Sequence, residues 1–370
     1  MVLRKSPICG FVFVLLLFLS SFLGTLFIIS PLLPLMIFKP KWWRFVIDEV
    51  MGSWITYAVS LMEVLAGIKI RISGDMFGQG ESNLIIMNHH TRLDWMFLWM
   101  CLIRRSEVKQ EKIILKSVLK LIPGAGWAMQ TACYIFIERK WEYDNRTFTK
   151  LLDYFREAKV TKPQILLFPE GTDFTAKNKA RSDEFACQNG LPLYEFVLHP
   201  RTTGFVFLAS KMREGGMLSA VYDICIGYPQ TRPQNEMDIL YGKFPEDIHF
   251  HIKRHPVITL PIGDKGLQEW CELRWRDKEA MLKRFYAERH FTETAAASSG
   301  RDRDVRLLLR FCFVLWTSLV VVWLAFLLYS SVARWYALTH CVLFYAVYWW
   351  NGGMEHLEIS IFNWWKSVCQ

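Results

Sequence analysis

From Cys9 to Phe38 the chain runs for thirty residues without a single charge. A helix needs only about 20 predominantly apolar residues to cross a bilayer, so this stretch restricts the N-terminal end to a lipid environment. Arg4 and Lys5 precede it, Lys39, Lys41 and Arg44 follow it, and Pro31 and Pro34 interrupt its last third. Basic flanks at both ends leave two arrangements open, one tilted span or a re-entrant hairpin bent at the prolines. A cleaved signal peptide would have an apolar core of about 7–15 residues and a small-residue cleavage site. The observed run is far longer and has no obvious site of that kind, so it reads as a retained anchor.

Two further apolar blocks lie near the other end. Phe311 to Tyr329, just after Arg306 and Arg310, is long enough to span; Trp335 to Trp350, interrupted only by His340, is marginal. Before them, residues 292–304 have the small and charged composition of a linker. The expected organisation is an anchor over 1–40, a domain over 41–290, a linker over 291–304 and a C-terminal membrane region over 305–370. A length of 370 residues suits one or two domains, and 52% hydrophobic residues supply an ample core. The net charge of +9 suits anionic headgroups or phosphate-bearing substrates, and equally the Lys and Arg that flank membrane spans. Nine cysteines without a C-x-x-C pair indicate neither a zinc ribbon nor a dithiol site. Gly124–Gly126 is too short for a nucleotide fingerprint, and no nucleic-acid motif or internal repeat is present.

Within the middle domain, Trp42 to Ile68 has helical spacing suited to a bilayer surface or a core. Strand-like runs at Lys69–Ile72, Leu84–Met87, Tyr134–Glu138, Gln164–Phe168, Gly204–Leu208 and Val221–Gly227 then alternate with helix-like runs at Trp95–Arg104, Arg146–Ala158 and Asp183–Cys187. This alternation predicts an α/β fold, with a central mixed sheet and flanking helices, carried between N- and C-terminal membrane helices. Ligands in such folds gather outside the C-terminal ends of strands.

Polar groups collect at three such ends. Asn-His-His-Thr-Arg-Leu-Asp (88–94) follows one buried run, Glu138-Arg139-Lys140 another, and Pro169-Glu170-Gly171-Thr172 a third. In a strand–turn–helix segment Asp94 can fold back onto His89, fix its tautomer and leave the second ring nitrogen as a base. Thr91-x-x-Asp94 also fits a helix-capping pair, and both roles can coexist. His90 is expected as a solvent-facing or packing neighbour. Arg139 has the planar fork suited to phosphate, and Gly171 permits close approach to the backbone, although each also fits an ordinary strand end or turn. His249 and His251 share one face of a possible strand but lack a third ligand, so no metal site is expected.

Taken in order, Asn88-His89-x-x-x-x-Asp94, Ile135-Phe136-Ile137-Glu138-Arg139, Phe168-Pro169-Glu170-Gly171-Thr172 and the segment around His199-Pro200-Arg201-Thr202 resemble the four blocks of the glycerolipid acyltransferase family. The resemblance covers roughly residues 80–205. It implies transfer of an acyl group from acyl-CoA, as co-substrate and without a bound cofactor, to a free hydroxyl of a lysophospholipid. By that resemblance His89 is the general base and Asp94 orients it, while Arg139, Glu170, Gly171 and Thr172 line the acceptor's phosphate-glycerol site. An activated thioester needs only a positioned base and charge stabilisation.

Two departures refine the expectation. Many lysophosphatidate acyltransferases carry Arg after Glu-Gly-Thr and Gly before the Ile-Phe-Ile block, where this chain has Asp173 and Cys133. Loss of a cation there disfavours a dianionic phosphomonoester and points to lysocardiolipin or a related lysophospholipid, although Lys177, Lys179, Arg181 or Arg201 can compensate. The alternatives are a lysophosphatidate acyltransferase and a non-catalytic membrane scaffold. A serine elbow or water-activating metal cluster, expected of a hydrolase, is not legible. Acyl-CoA, the acceptor and the bilayer are the expected partners, with no nucleic acid. The resemblance implies a multi-pass endoplasmic reticulum protein, mitochondria-associated membrane being a further location.

Overall fold

The computed structural model describes residues 6–291 and 301–369. Of the linker expected over 291–304, residues 292–300 lie outside the described residues, as does the basic flank Arg4–Lys5, while residues 301–304 already belong to the helix Arg301–Tyr329. Strands in chain order are β1 (Lys69–Gly74), β2 (Asn83–Met87), β3 (Glu111–Lys116), β4 (Ile135–Ile137), β5 (Gln164–Leu167), β6 (Ala220–Gly227) and β7 (Asp247–Pro256). The described chain forms two compact units that alternate along the sequence, one drawn from residues 6–11, 62–107, 163–291 and 301–306, the other from 12–61, 108–162 and 307–369.

In the first unit the strand order is β1-β7-β6-β2-β5. β2 lies parallel to β5 and to β6, whereas β7 runs antiparallel to β6, which makes the sheet mixed, as expected. All residues of β2 and β6 are buried, the pattern of strands covered on both faces. Ile86 pairs with Leu167 and Met87 with Ile224, so β2, β5 and β6 end at one edge of the sheet. The helix Asp264–Glu288 buries Leu267, Cys271, Trp275, Lys278, Leu282 and Phe285, a three-and-four spacing that places them on one face. From that face Lys278 donates to the Ile224 carbonyl at 2.6 Å and pairs with Asp223.

Gly204–Leu208 is not a strand but part of the helix Thr202–Glu214. Its alternation of large residues spans too few positions to set a period; over the longer window the buried residues are Phe205, Leu208, Ala209 and Met212, a helical stripe.

The second unit contains the parallel pair β3–β4 and the long apolar helices. Its interior holds a charge cluster. Arg44 donates to Glu358 at 3.2 Å and to the Thr131 carbonyl at 2.8 Å, and pairs with Asp48 at 3.0 Å. Asp48 also receives Lys112 at 2.9 Å and Thr161 at 2.5 Å, while Tyr154 donates to Glu358. Two cations and two anions thus offset one another, as buried charge requires.

Among the described residues, three helical runs are long and apolar enough to cross a membrane: Pro7–Phe38, Pro40–Leu65 and Asp302–Tyr329. The first is helical throughout, with a wide π turn at Thr25–Ile29 just before the prolines whose missing N–H groups interrupt the regular ladder. The marginal third block forms the helix Ser331–Asn351. Large apolar side chains on these C-terminal helices, among them Phe311, Val321, Leu328, Trp335 and Trp350, are exposed, as a lipid-facing surface would be.

Candidate active site

Three neighbouring parallel strands of the first unit deliver the polar groups. β2 is followed by Asn88, whose side chain both donates to and accepts from the backbone of Ile226 on β6, at 3.1 and 2.8 Å. This staple fixes where the chain leaves the sheet. His89 follows in the turn, and Asp94 opens the helix Asp94–Arg105. His89 Nδ1 lies 3.0 Å from Asp94 Oδ2. The imidazole is stacked on Phe168 with ring centroids 4.1 Å apart.

Asp94 holds the imidazole and also the Thr91 end of the turn before its helix. Its Oδ2 also accepts from the Thr91 backbone N–H at 2.9 Å, and its Oδ1 from the Thr91 hydroxyl at 3.1 Å, while Thr91 Oγ1 accepts from the Leu93 N–H. The carboxylate therefore closes the turn that leads into its helix, where the macrodipole favours a negative charge, and holds the imidazole. Its side chain is fully buried while 15% of the His89 side chain is exposed. With Nδ1–H donated to Asp94, Nε2 is the nitrogen left to accept a proton.

Glu170, in the turn after β5, is buried. Its Oε1 accepts from the His89 backbone N–H at 3.1 Å and from Trp275 Nε1 at 3.2 Å, and its Oε2 from the Leu198 N–H at 3.3 Å. Burial pushes this carboxyl up to about 7, against the pull of His89, the two backbone donors and the Trp275 indole. Phe174 N–H donates to the His89 carbonyl at 2.8 Å, so the two turns are bound to each other on both sides of His89. As placed, Glu170 shapes the His89 turn.

Gly171 is exposed and adopts φ 71°, the left-handed region that glycine enters freely. Thr172 is half-buried and receives Asn178 Nδ2 at 3.0 Å. Asp173 accepts from Gln234 Nε2 at 3.3 Å and lies 3.7 Å from Arg92, which explains how a carboxylate is accommodated there. His90 is buried, not solvent-facing. Its Nδ1 contacts Arg232 Nη1 at 3.0 Å, and burial, together with Arg232 and His89 and against Asp94, pushes the ring down to about 4. It is thus neutral at physiological pH. Arg139 belongs to the second unit, where it is exposed at the end of β4 with φ 61°.

Two residues that sequence reasoning did not single out complete the cluster in the first unit. Tyr228, just beyond β6, donates its hydroxyl to Asp94 Oδ1 at 2.6 Å, and Trp275 reaches Glu170 from the helix Asp264–Glu288. Neither belongs to a local motif.

Residues 69–228 match the family described as Acyltransferase, and residues 238–314 the one described as Acyltransferase C-terminus. Over 97% of its length the chain is 47% identical to Lysocardiolipin acyltransferase 1 of Gallus gallus, covering 96% of that protein. The chain belongs to the glycerolipid acyltransferase family. This acyltransferase is also 41% identical to Lysophosphatidylinositol acyltransferase 10 of Caenorhabditis elegans, over 76% of the chain and 73% of that protein. Among solved structures, it is similar to the 1-acyl-sn-glycerophosphate (LPA) acyltransferase PlsC from Thermotoga maritima, with 16% identity, 74% and 95% coverage and a TM-score of 0.42.

Proposed function

We propose that this acyltransferase moves a fatty acyl group from acyl-CoA to a free hydroxyl of lysocardiolipin or a related lysophospholipid, with His89 as general base. The single observation that carries the reading is the 3.0 Å contact between His89 Nδ1 and a fully buried Asp94 at the carboxyl edge of the sheet. His89 Nε2 takes the proton of the acceptor hydroxyl as its oxygen attacks the thioester carbonyl. The tetrahedral intermediate then expels the CoA thiolate, which receives that proton from His89. One C–O bond forms, one C–S bond breaks, and no covalent enzyme intermediate is needed. Asp94 stabilises the transient imidazolium and keeps the tautomer in place. Glu170 fixes the backbone on which His89 rides, and Gly171 and Thr172 line the acceptor's approach. The phosphate role of Arg139 rests on its motif and its planar fork.

The preference for a phosphodiester acceptor rests on Asp173, which stands after Glu-Gly-Thr in place of a cation and whose carboxylate is engaged by Gln234 and Arg92, so that it adds no donor for a dianionic phosphomonoester. Relatives named for lysocardiolipin and lysophosphatidylinositol support it. The three apolar helices support a site of action in a membrane, which we assign to the endoplasmic reticulum, with the chain crossing more than once. Labelled acyl-CoA and a panel of lysophospholipids, presented to purified protein, test the reading. Lysocardiolipin or another phosphodiester should be acylated faster than lysophosphatidate; a clear preference for lysophosphatidate would reassign the acceptor, and failure of every acceptor would remove the enzyme reading.

A further inference from the structure

We propose that Tyr228 is a positioning residue for proton transfer, its hydroxyl holding Asp94 in the orientation that supports His89 and setting how basic His89 is. The inference rests on His89 being the base. Asp94 has four donors, two on each oxygen: Tyr228 and the Thr91 hydroxyl on Oδ1 at 2.6 and 3.1 Å, the Thr91 N–H and His89 Nδ1 on Oδ2 at 2.9 and 3.0 Å. Three of them lie within five residues of the carboxylate, and only Tyr228 comes from another strand end. Without it, Oδ1 would keep only the longer bond from the Thr91 hydroxyl, and the carboxylate would be held by its own turn alone.

The tyrosine ring is itself held. Phe97 meets it at 6.1 Å between centroids and His90 edge-on at 6.4 Å, and the side chain is buried. Burial and the neighbouring Asp94 push its hydroxyl well above the ordinary range, so it stays protonated and donates. A carboxylate that shares its charge with a strong donor attracts an imidazolium less. Removing the donor therefore raises the basicity of His89, and strengthening it does the opposite. The other titratable or charged groups facing this cluster are His90, Arg232, Glu170 and Tyr286.

Tyr228→Phe should lower kcat by roughly ten- to a hundredfold, the loss expected for one hydrogen bond to a charged group, with little change in acceptor KM. The acid limb of its kcat/KM profile should move to higher pH. Incorporating 3-fluorotyrosine at position 228, a stronger donor of nearly the same shape, should move that limb to lower pH and keeps the test available should the Phe variant fold poorly. In an Asp94→Asn background, Tyr228→Phe should add little further loss. Unchanged kcat and acid limb in both variants, or a fully additive loss in the Asn background, would overturn the inference. Activity in His89→Ala would instead sink the base assignment beneath it, so the two failures are distinguishable.

Discussion

Replacing Glu170 by Gln changes three contacts and one charge, and the structure says what each should do. The carboxylate accepts three donors: the His89 and Leu198 N–H groups and the Trp275 indole. A Gln amide keeps one accepting oxygen and turns an NH2 toward the donors on the other side. With the oxygen facing His89 and Trp275, the amide donor confronts Leu198 N–H; with the opposite flip it confronts the other two. Losing one charge-assisted bond costs about 1.5–3 kcal/mol. If most of that appears as displacement of the His89 turn, kcat/KM falls by roughly ten- to a hundredfold. The pH dependence of stability supplies a second readout. Glu170 titrates at about 7 in the folded protein, against an ordinary 4.5, so its contribution is fully present below about 4.5 and is lost as pH rises to about 7. A shift of that size corresponds to about 3 kcal/mol by linkage. His90, pushed down from 6.5 to about 4, works in the opposite sense, its contribution being lost as pH falls through that window. The two largely cancel in the parent protein between pH 4.5 and 6.5. Thermal unfolding of the purified protein in detergent should therefore show little net slope from these groups, whereas Glu170→Gln should gain Tm as pH rises from 4 to 6.5. A Gln variant with parental turnover and a parental Tm profile would refute the claim that this carboxylate holds the His89 turn.

Three further outcomes follow from the same geometry. Asp94→Asn should lower kcat severely without abolishing it, since a misoriented imidazole can still accept a proton; parental kcat on labelled acyl-CoA would contradict the orienting role. Cys133→Gly should retain most of the activity and leave no acyl-enzyme to trap, because burial holds the thiol well above its ordinary range and its φ of 54° is one that glycine adopts more easily; an acyl group recovered on Cys133 during turnover would overturn this. Arg139→Lys keeps the charge but loses the bidentate fork, so acceptor KM should rise by up to roughly tenfold while acyl-CoA KM stays put; unchanged acceptor kinetics would place the phosphate elsewhere.

The sequence carried the His89–Asp94 pair because the pair is local: five residues, a strand end and a helix start suffice to bring the two groups together. Tyr228 and Trp275 lie 134 and 105 residues from the carboxylates they bind, and no spacing rule connects them. Their places follow from β6 pairing with β2 and from a helix face that only the folded sheet selects. β3 escaped notice for a different reason: Glu111 and Lys112 open it with charges, yet both are buried, and Lys112 is paired with Asp48. A pairing partner 64 residues away cancels the polarity that makes such a run look exposed. Gly204–Leu208 shows the converse limit, since a short apolar run fits either period until its longer context is counted. The helices Pro7–Phe38 and Asp302–Tyr329 were legible as long enough to span a bilayer from their uncharged length, whereas Pro40–Leu65 was not, because Lys41, Arg44, Asp48 and Glu49 break its apolar run.

In the proposed mechanism His89 moves the acceptor's proton. Transfer of labelled acyl from acyl-CoA to lysophospholipid, measured on purified His89→Ala matched to the parent in Tm and membrane insertion, tests it most directly. Transfer should fall by at least about a hundredfold, the usual contribution of a general base, with the protein otherwise intact. Turnover within a few-fold of the parent would contradict the account.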